Sequence, residues 1–272
     1  MNNLINEFRQ TPVVILCGGK GVMLNEQKKE RINKGLIEVL DKPLFFWVMQ
    51  HYALHGATEF MLATGFQGEK FGATLMNAGA KIDTDNPGNY EITIAKTTCR
   101  VRIVSTSGNA TTAERLLACK PWLEQVDRFA LTYSDTLSDV DLSAEMRFHK
   151  SQGLVATLVA TKFPVRFRIL GIRSGEAVVR AFASRPVIEA ASINGGYYIF
   201  TKELWKEIYG LDRLAALEDQ PLERLAAQRQ LAAFEHNGIW QNCDTERDLA
   251  ELRNLAQHLD SMTRRIERTL CG

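Results

Sequence analysis

The stretch VVILCGGKGVMLNEQKK, residues 13–29, joins a short apolar run to a glycine-rich loop. Its first five residues, VVILC, are apolar and rich in β-branched side chains, and such a run that ends at glycine predicts a buried strand. Gly18, Gly19 and Gly21 carry no Cβ, so the backbone N–H groups of the loop can approach a phosphate or a flat base. We therefore expect a strand that ends at a phosphate-binding loop.

The loop matches neither of the two common phosphate-binding patterns. A P-loop requires a lysine and then a serine or threonine directly after its last glycine, and no such pair follows Gly21. The dinucleotide pattern GxGxxG fails because Leu24 stands where the third glycine belongs. The loop alone is therefore only a weak indicator of nucleotide binding.

Strands and helices alternate after this loop. Apolar runs and helical periodicity predict strands at 59–64, 101–105, 129–133, 156–161, 169–172 and 196–200, and helices at 44–54, at 112–120, before Gly153 and from 245 onward. Such alternation predicts parallel strands between two helix layers, with ligands beyond the carboxyl ends of the strands. Both the glycine loop and the segment TYSD, residues 132–135, fall at such ends.

The predicted fold is therefore a three-layer α/β/α fold with a mostly parallel sheet. No repeat, low-complexity segment or long linker divides the chain, so residues 1–272 are predicted to form a single domain. Shorter strands follow residue 163, which indicates a larger lobe at 11–163, a smaller lobe at 164–243 and a C-terminal helix at 244–272.

The tetrapeptide TERD, residues 245–248, predicts how the last helix begins. Thr245 and Asp248 have the spacing of a capping box. An apolar stripe follows at Leu249, Leu252, Leu255, Leu259, Met262 and Ile266. This stripe is compatible with packing on the chain's own core and with packing between two copies of the chain.

Composition and charge exclude several classes of partner. Lys and Arg number 33 and Asp and Glu 32, a net charge of +1, so no long-range field would attract nucleic acid or an anionic membrane. No apolar run is long enough to span a bilayer, and residues 1–10 lack the apolar core of a signal peptide. We expect a cytoplasmic protein that binds neither nucleic acid nor membrane.

Cysteines and histidines form no pattern typical of a metal site. The five cysteines are widely spaced and include no CxxC pair, which favours buried free thiols over disulfides or zinc ligands. His51 and His55 have the i,i+4 spacing of a metal-binding pair, but no HExxH motif or third ligand accompanies them. Metal binding by these histidines is the minor alternative to a structural role.

Seven blocks of the sequence together resemble the glucose-1-phosphate cytidylyltransferases, within the sugar-nucleotide pyrophosphorylases. In order they are LCGGKG, INKGLIEVLDKP, HGATEFMLATGFQG, VRIVSTSGNATTAERL, TYSDTLSDVDL, INGGYYIF and FEHNGIWQNCDTERD. No single block is highly specific, and the resemblance rests on their order and spacing over most of the chain. It implies the Rossmann-like nucleotide-diphospho-sugar transferase fold, in which the smaller lobe binds the sugar phosphate, and a homo-oligomer.

The resemblance also implies a reaction. A sugar 1-phosphate oxygen attacks the α-phosphorus of CTP and pyrophosphate leaves, with Mg²⁺ and basic side chains neutralising the phosphates. Asp135 and Asp244 match the family's two magnesium-binding carboxylates, and Lys34 matches the lysine that reaches the phosphates. These three are the predicted catalytic residues. The alternatives are a turn aspartate, a helix N-terminal residue and a solvated lysine.

The other predicted site residues follow from the same resemblance. Besides Lys34 and Asp135, the residues implied to bind the nucleotide are Leu16, Cys17, Gly18, Gly19, Gly21, Thr112 and Ser134. Those implied to bind the sugar phosphate are Tyr133, Arg185, Asn194 and Gly195. For the glycines and for Asn194, a purely structural turn is the alternative.

Several positions depart from the family pattern. The arginine expected to bind the triphosphate is Met23, which offers neither charge nor a hydrogen-bond donor. Gly35 replaces the proline after the lysine, and Ala113 and Glu114 replace a glycine pair expected to contact the base. Ser134 and Thr136 replace the two glycines of YGDG, and Ser184, Arg185 and Pro186 stand where the family has Glu-Lys-Pro.

These departures leave three interpretations open. The first is an enzyme that makes a CDP-sugar from CTP and an unusual phosphate acceptor, with Lys20, Lys28, Lys29 or Arg31 replacing the charge lost at Met23. The second is the same chemistry with GTP, UTP or dTTP, because Ala113 and Glu114 alter the presumed base pocket. The third is a catalytically decayed nucleotide-binding protein with a regulatory role.

Overall fold

The computed structural model describes residues 7–19, 22–23, 31–164, 169–171, 178, 181–183, 187–209 and 216–269, without the side chains of 22–23, 163–164, 169–171, 181–183, 187–191 and 261–269. The strands are β1 (Val13–Cys17), β2 (Val22–Met23), β3 (Arg31–Ile32), β4 (Glu38–Val39), β5 (Lys42–Pro43), β6 (Glu59–Thr64), β7 (Lys81–Ile82), β8 (Asn89–Ile94), β9 (Thr97–Ser105), β10 (Arg128–Tyr133), β11 (Thr136–Ser138), β12 (Ala156–Pro164), β13 (Ile169–Gly171), β14 (Ala181–Ala183), β15 (Val187–Thr201), β16 (Leu231–His236) and β17 (Trp240–Asn242). The helices are α1 (Leu44–Leu54), α2 (Glu69–Asn77), α3 (Thr112–Leu123), α4 (Leu142–Gln152), α5 (Leu204–Ile208), α6 (Gln220–Ala227) and α7 (Glu246–Thr269), with a 3-10 helix at Lys34–Leu36.

The central sheet has nine strands in the order β16-β12-β15-β10-β1-β6-β9-β8-β7. Strand β1 pairs in parallel with β10 on one side and with β6 on the other, and β6 pairs in parallel with β9. Strands β15 and β8 run antiparallel to their neighbours. The predicted mostly parallel sheet is confirmed, and the carboxyl ends of β10, β1, β6 and β9 lie along one edge.

Helices cover both faces of the sheet. Val13, Ile15 and Cys17 point into a core shared with α1, α2, α4 and α7, whereas Val14 and Leu16 point into a core shared with α3, α5 and α6. All five residues of β1 are buried, which is why this strand is continuously apolar instead of alternating. The predicted three-layer arrangement is confirmed.

Three strands of the sheet, β7, β8 and β16, lack a prediction from the sequence. They lie at or next to its two edges, and the burial of β8 alternates between exposed and buried residues. Strands with one solvated face carry few apolar residues and give a weak sequence signal. The predicted strand at 196–200 is the end of the longer β15, which pairs with both β10 and β12.

The sheet runs without a break through residues of both predicted lobes. Strands β15 and β16 come from the predicted smaller lobe, and they flank β12 of the predicted larger lobe. The division of the chain into lobes stays a prediction.

Helix α7 begins as TERD predicts. The N–H of Thr245 donates to Asp248 Oδ2 at 2.9 Å, and the N–H of Asp248 donates to Thr245 Oγ1 at 3.2 Å, which are the two halves of a capping box. Leu252 and Leu255 are buried in the core, so this part of the apolar stripe packs on the chain itself. The side chains of Met262 and Ile266 lie outside the described residues, and packing between copies stays a prediction.

His51 in α1 and His55 directly after it contribute to the packing of α4. His51 Nε2 lies 3.0 Å from the carbonyl oxygen of Val140 and donates to it, and His55 Nδ1 accepts from the N–H of Ser143, in the first turn of α4, at 3.2 Å. Burial lowers the pKa of His51 to about 3 and that of His55 to about 4. Both imidazoles are therefore neutral at physiological pH, as these hydrogen bonds require.

Cys17, Cys99, Cys119 and Cys243 are buried free thiols, as predicted, and Cys271 lies outside the described residues. Burial raises the pKa of the Cys119 thiol to about 12, so it stays protonated. Among the helices within the described ranges, none is both long and apolar enough to cross a bilayer.

Candidate active site

A cleft of about 470 Å³ opens at the carboxyl edge of the sheet. It is bordered by the loops after β1, β9 and β10, by the start of α3 and by the 3-10 helix. The predicted site residues that line it are Leu16, Gly18, Gly19, Lys34, Thr112, Tyr133, Ser134 and Asp135. The fold thus gathers most of the predicted nucleotide-binding residues around one cavity.

Lys34 joins the two predicted magnesium ligands at this edge. Its Nζ lies 3.0 Å from Asp135 Oδ2 and 2.5 Å from Asp244 Oδ1. Partial burial of the ammonium disfavours its charge, but attraction by Asp135 and hydrogen bonding to Asp244 outweigh this, so the pKa of Lys34 is raised. The three predicted catalytic residues therefore meet at one point, and the two aspartates keep Lys34 in its charged form.

The small antiparallel sheet of β11 and β17 brings the two aspartates together. Asp135 directly precedes β11, and Asp244 lies two residues after the end of β17. The register pairs Thr136 with Asn242, and the N–H of Cys243 donates to the carbonyl oxygen of Asp135 at 3.0 Å. Because the strands are antiparallel, the start of one and the end of the other lie side by side.

Asn33, which no sequence pattern identified, anchors the segment that carries Lys34. Its Nδ2 donates to the carbonyl oxygens of Cys17 at 2.7 Å and Phe66 at 2.8 Å, and its Oδ1 accepts from the N–H of Gly35 at 3.0 Å. The side chain is buried, and it ties the 3-10 helix to the loops after β1 and β6. The preference of asparagine for N-cap positions is the signal that could have found it.

Arg115, also not predicted, braces the floor of the cleft. Its guanidinium donates to the carbonyl oxygens of Thr64 at 3.0 Å, Gly18 at 2.8 Å and Ala110 at 3.0 Å. It is only 3% exposed, and burial lowers its pKa without neutralising it. A Cβ on Gly18 would lie 1.8 Å from Arg115 Nη1, so this glycine makes room for the arginine. Arg115 therefore links the loops after β1, β6 and β9.

The sequence as a whole places this chain among known proteins. The profile of the family described as Nucleotidyl transferase matches residues 12–257. The chain belongs to this nucleotidyl transferase family. It is 34% identical over 248 residues to the glucose-1-phosphate cytidylyltransferase of Salmonella typhimurium, covering 89% of this chain and 94% of that relative.

More distant relatives of this nucleotidyltransferase include enzymes named for other substrates. It is 25% identical over 260 residues to the mannose-1-phosphate guanyltransferase of Gibberella zeae, covering 93% of this chain and 65% of that relative. The crystal structure of HddC from Yersinia pseudotuberculosis superposes with a TM-score of 0.62 at 16% identity, covering 89% of this chain and 97% of that chain. The predicted family and enzyme class are thereby confirmed, as is the fold.

Two residues predicted to bind the nucleotide use their side chains in contacts within the protein. The thiol of Cys17 is fully buried in the core on the α1 side of the sheet, so only its backbone faces the carboxyl edge. Thr112 Oγ1 accepts from the N–H of Leu217 at 2.8 Å and donates to Glu218 Oε2 at 2.6 Å. Thr112 therefore fastens the segment before α6 to the start of α3.

The predicted sugar-binding residues on β15 lie beside the end of β10. Asn194 Oδ1 accepts from the N–H of Gly196 at 3.0 Å, and its Nδ2 donates to the hydroxyl of Tyr198. Gly196 has φ +77°, and a Cβ there would lie 2.7 Å from Tyr133 Cδ2. Asn194 and Gly195 thus form a kink next to Tyr133, outside the lining of the cleft. Gly21 and Arg185 lie outside the described residues.

Two departures from the family pattern form a contacting pair. A Cβ on Gly35 would lie 2.7 Å from Ser134 Oγ and 2.8 Å from Ser134 Cβ. The resemblance implies the larger residue at 35 and glycine at 134, whereas this chain has the reverse. The larger side chain is therefore at 134 and the glycine at 35, so the two positions together still fill the contact between the segments that carry Lys34 and Asp135.

Gly35→Ala is expected to lower the free energy of unfolding by about 1–3 kcal/mol, because the new methyl group would overlap Ser134. Ser134→Gly in the same chain should recover most of the loss, since the two positions share one space. Urea unfolding of the two single variants and the double variant measures this coupling. Additive effects would show that the two residues do not compensate each other.

The presumed base-contact pair, Ala113 and Glu114, does not line the cleft. Ala113 is fully buried in the core beneath α3. Glu114 caps α3, because the N–H of Thr111 donates to Glu114 Oε2 at 2.6 Å and the N–H of Glu114 donates to Thr111 Oγ1 at 3.2 Å. The expectation that these two residues alter the base pocket therefore stays a prediction, without support from the lining of this cleft.

The position of Met23 is next to that of a basic residue. Strands β2 and β3 form an antiparallel pair in which Met23 lies opposite Arg31. Arg31 is exposed, and its carbonyl oxygen accepts from Gln67 Nε2 at 3.1 Å. Lys20, Lys28 and Lys29, the other candidates for replacing the lost charge, lie outside the described residues.

Proposed function

We propose that this nucleotidyltransferase transfers CMP from CTP to a sugar 1-phosphate and releases pyrophosphate. The observation that carries the proposal is the contact of Lys34 with both Asp135 and Asp244, beside a cleft that Lys34, Asp135 and the glycine loop line. The relative with 34% identity is named for CTP chemistry on glucose 1-phosphate, and the more distant relative is named for guanyl transfer. CTP is therefore the first nucleotide to test.

The donor set of the site fits a divalent ion shared with phosphates. Asp135 and Asp244 converge on a single ammonium, so both can reach one bound cation. Within the described residues, no group of three or more His, Cys, Asp and Glu side chains could hold a metal. Mg²⁺ commonly takes one or two carboxylates and completes its shell with phosphate oxygens and water. A magnesium ion here would neutralise charge on the triphosphate.

Transfer then needs positioning and charge neutralisation but no acid or base. One oxygen of the sugar phosphate forms a bond to the α-phosphorus of CTP, and the bond from that phosphorus to the β-bridging oxygen breaks, so pyrophosphate leaves with the electron pair. Lys34 stays protonated because its pKa is raised, and it donates to phosphate oxygens as their charge develops. The backbone of the loop at Gly19, beside which a Cβ would meet no atom within 4 Å, leaves space for the nucleotide.

Two observations favour an active enzyme over a decayed one. The exchange of bulk between Gly35 and Ser134 preserves the contact beneath Lys34 and Asp135, which a site without function has no need to retain. Arg31 is a cation opposite Met23 in the β2 and β3 pair, which supports its predicted role as a replacement for the missing arginine. The homo-oligomeric state and the cytoplasmic location stay predictions of the sequence.

Pyrophosphate release tests the proposal. The purified protein is incubated with Mg²⁺, one of CTP, UTP, GTP, dTTP or ATP, and a panel of sugar 1-phosphates. We expect release with CTP to exceed that with the other nucleotides, to need a sugar phosphate and to stop when Mg²⁺ is chelated. Asp135→Asn serves as the inactive control.

A preference for another nucleotide would replace CTP and leave the reaction class standing. No release with any pair, together with no thermal shift by any of the nucleotides, would favour the decayed, regulatory alternative.

A further inference from the structure

The order of the strands spaces the loops of the cleft. Asp135 follows β10, Gly18 and Gly19 follow β1, and the loop after β9 lies beyond the intervening β6. At about 4.8 Å between neighbouring strands, this loop is roughly 14 Å from the end of β10. A nucleotide whose α-phosphate lies at Asp135 therefore extends its base across the glycine loop toward the loop after β9.

That loop presents a rigid turn to the cleft. The N–H of Ala110 donates to the carbonyl oxygen of Ser107 at 3.0 Å, which closes a turn with Gly108 and Asn109 at its tip. The N–H of Asn109 donates to Ser107 Oγ at 3.3 Å, and Arg115 Nη2 donates to the carbonyl oxygen of Ala110 at 3.0 Å. The tip is thus held on both sides, which suits a residue that selects a ligand.

The side-chain amide of Asn109 forms no hydrogen bond with the described part of the protein. The polar side chains next to it already have partners. Thr111 Oγ1 accepts a hydrogen bond from the N–H of Glu114, and Thr112 Oγ1 is hydrogen-bonded to Leu217 and Glu218. The guanidinium of Arg115 donates to backbone carbonyl oxygens. Among the described residues that line this end of the cleft, Asn109 alone has a side-chain amide without a hydrogen bond inside the protein. It is exposed to the cleft and offers one donor and one acceptor side by side.

We propose that the carboxamide of Asn109 reads the base of the nucleotide through its Watson–Crick edge. The inference rests on the proposed function and deepens it by naming a residue that binds the base. Cytosine presents an amino donor beside a ring-nitrogen acceptor, and an amide is complementary to that pair. Uracil presents the reverse order, which the amide meets only by turning over. A carboxylate at this position could only accept, so it would pair with the amino group of cytosine but repel the ring nitrogen beside it. It would likewise pair with the ring N–H of uracil but repel the neighbouring carbonyl oxygen.

Titration calorimetry with CTP, UTP and inorganic tripolyphosphate, each with Mg²⁺, tests this assignment. We expect Asn109→Ala to weaken binding of CTP about tenfold, the worth of one well-placed hydrogen bond, and to leave tripolyphosphate binding unchanged. Asn109→Asp should weaken binding of both CTP and UTP at least as much as Asn109→Ala does, because the carboxylate repels an acceptor on the edge of either base. Asn77→Ala, an exposed asparagine at the end of α2, is the matched control.

Each outcome has one meaning. Unchanged CTP affinity in both Asn109 variants would overturn the assignment, and the proposed function would stand if the wild-type protein binds CTP. An equal loss for CTP and tripolyphosphate would also overturn it, because it would show a general distortion of the loop. Wild-type protein that binds none of the nucleotides in the presence of Mg²⁺ would overturn the proposed function and this assignment together.

Discussion

Lys34→Met is expected to lower turnover by a factor of about 100 to 1,000, the usual effect of losing one positioned donor to developing charge. The same variant should bind a divalent ion more tightly in the absence of nucleotide. Lys34 Nζ lies 3.0 Å from Asp135 Oδ2 and 2.5 Å from Asp244 Oδ1, and its removal takes away the ammonium that competes with a metal for these two oxygens. The expected gain is about tenfold or more, since a cation that close repels a divalent ion by more than about 1 kcal/mol even in water.

Mn²⁺ serves as the probe, measured by its paramagnetic signal in nucleotide-free protein, beside pyrophosphate release for turnover. Lys202→Met is the control, because Lys202 forms an exposed ion pair with Asp127 at 3.4 Å, away from the cleft. Weaker or unchanged Mn²⁺ binding in Lys34→Met would show that the two aspartates do not form a joint metal site. Unchanged turnover would remove Lys34 from the catalytic residues.

Glu145→Gln is expected to raise the free energy of unfolding by about 3 kcal/mol at pH 7, an estimate from the linkage between proton binding and folding. The carboxyl of Glu145 is fully buried on α4, and neither oxygen has a hydrogen-bond partner among the described residues. Burial raises its pKa from 4.5 to about 8. Folding at pH 7 therefore requires Glu145 to take up a proton, whereas glutamine is neutral in both states and has nearly the same shape.

The stabilising effect of Glu145→Gln should increase with pH. Between pH 4.5 and about 8, the folded protein keeps the proton of Glu145 while the unfolded chain has lost it, so this residue makes stability fall as pH rises. Below pH 4.5 both states are protonated and the two proteins should differ little. The advantage of Glu145→Gln should thus be about 1 kcal/mol or less at pH 5, and should grow steadily toward pH 8.

Urea unfolding at pH 5, 6, 7 and 8 measures this growth. Glu251→Gln, which removes an exposed carboxylate of α7, is the matched control and should show no such trend. The buried His51 and His55 titrate in both proteins, so their effect on acid stability cancels in the difference. An advantage of the same size at every pH would mean that Glu145 titrates as an ordinary exposed carboxyl.

The sequence by itself determined the features that depend on neighbouring residues. The continuous apolar run of Val13–Cys17 predicts a strand buried on both faces because a parallel strand between two helix layers has no solvated side. Thr245 and Asp248 predict the start of α7 because a capping box is complete within four residues. Gly153 predicts the end of α4 because its φ of +63° is strained for other residues. The strands β7, β8 and β16, at or next to the edges of the sheet, were not predicted because their exposed positions carry polar residues and weaken the apolar pattern.

The convergence of the site was decided only by the tertiary structure. Lys34, Asp135 and Asp244 are far apart in the chain, and their meeting depends on the register of β11 with β17 and on the anchoring of Asn33. The same is true of the contact of Gly35 with Ser134 and of Arg115, whose partners are the hydroxyl of Thr106 and the carbonyl oxygens of Gly18, Thr64 and Ala110. Carbonyl groups are common to all residues, so no residue pattern reveals which of them a side chain will bind. Contacts between residues far apart in the chain form only when the fold packs their segments together, so the sequence around each residue does not predict its partners.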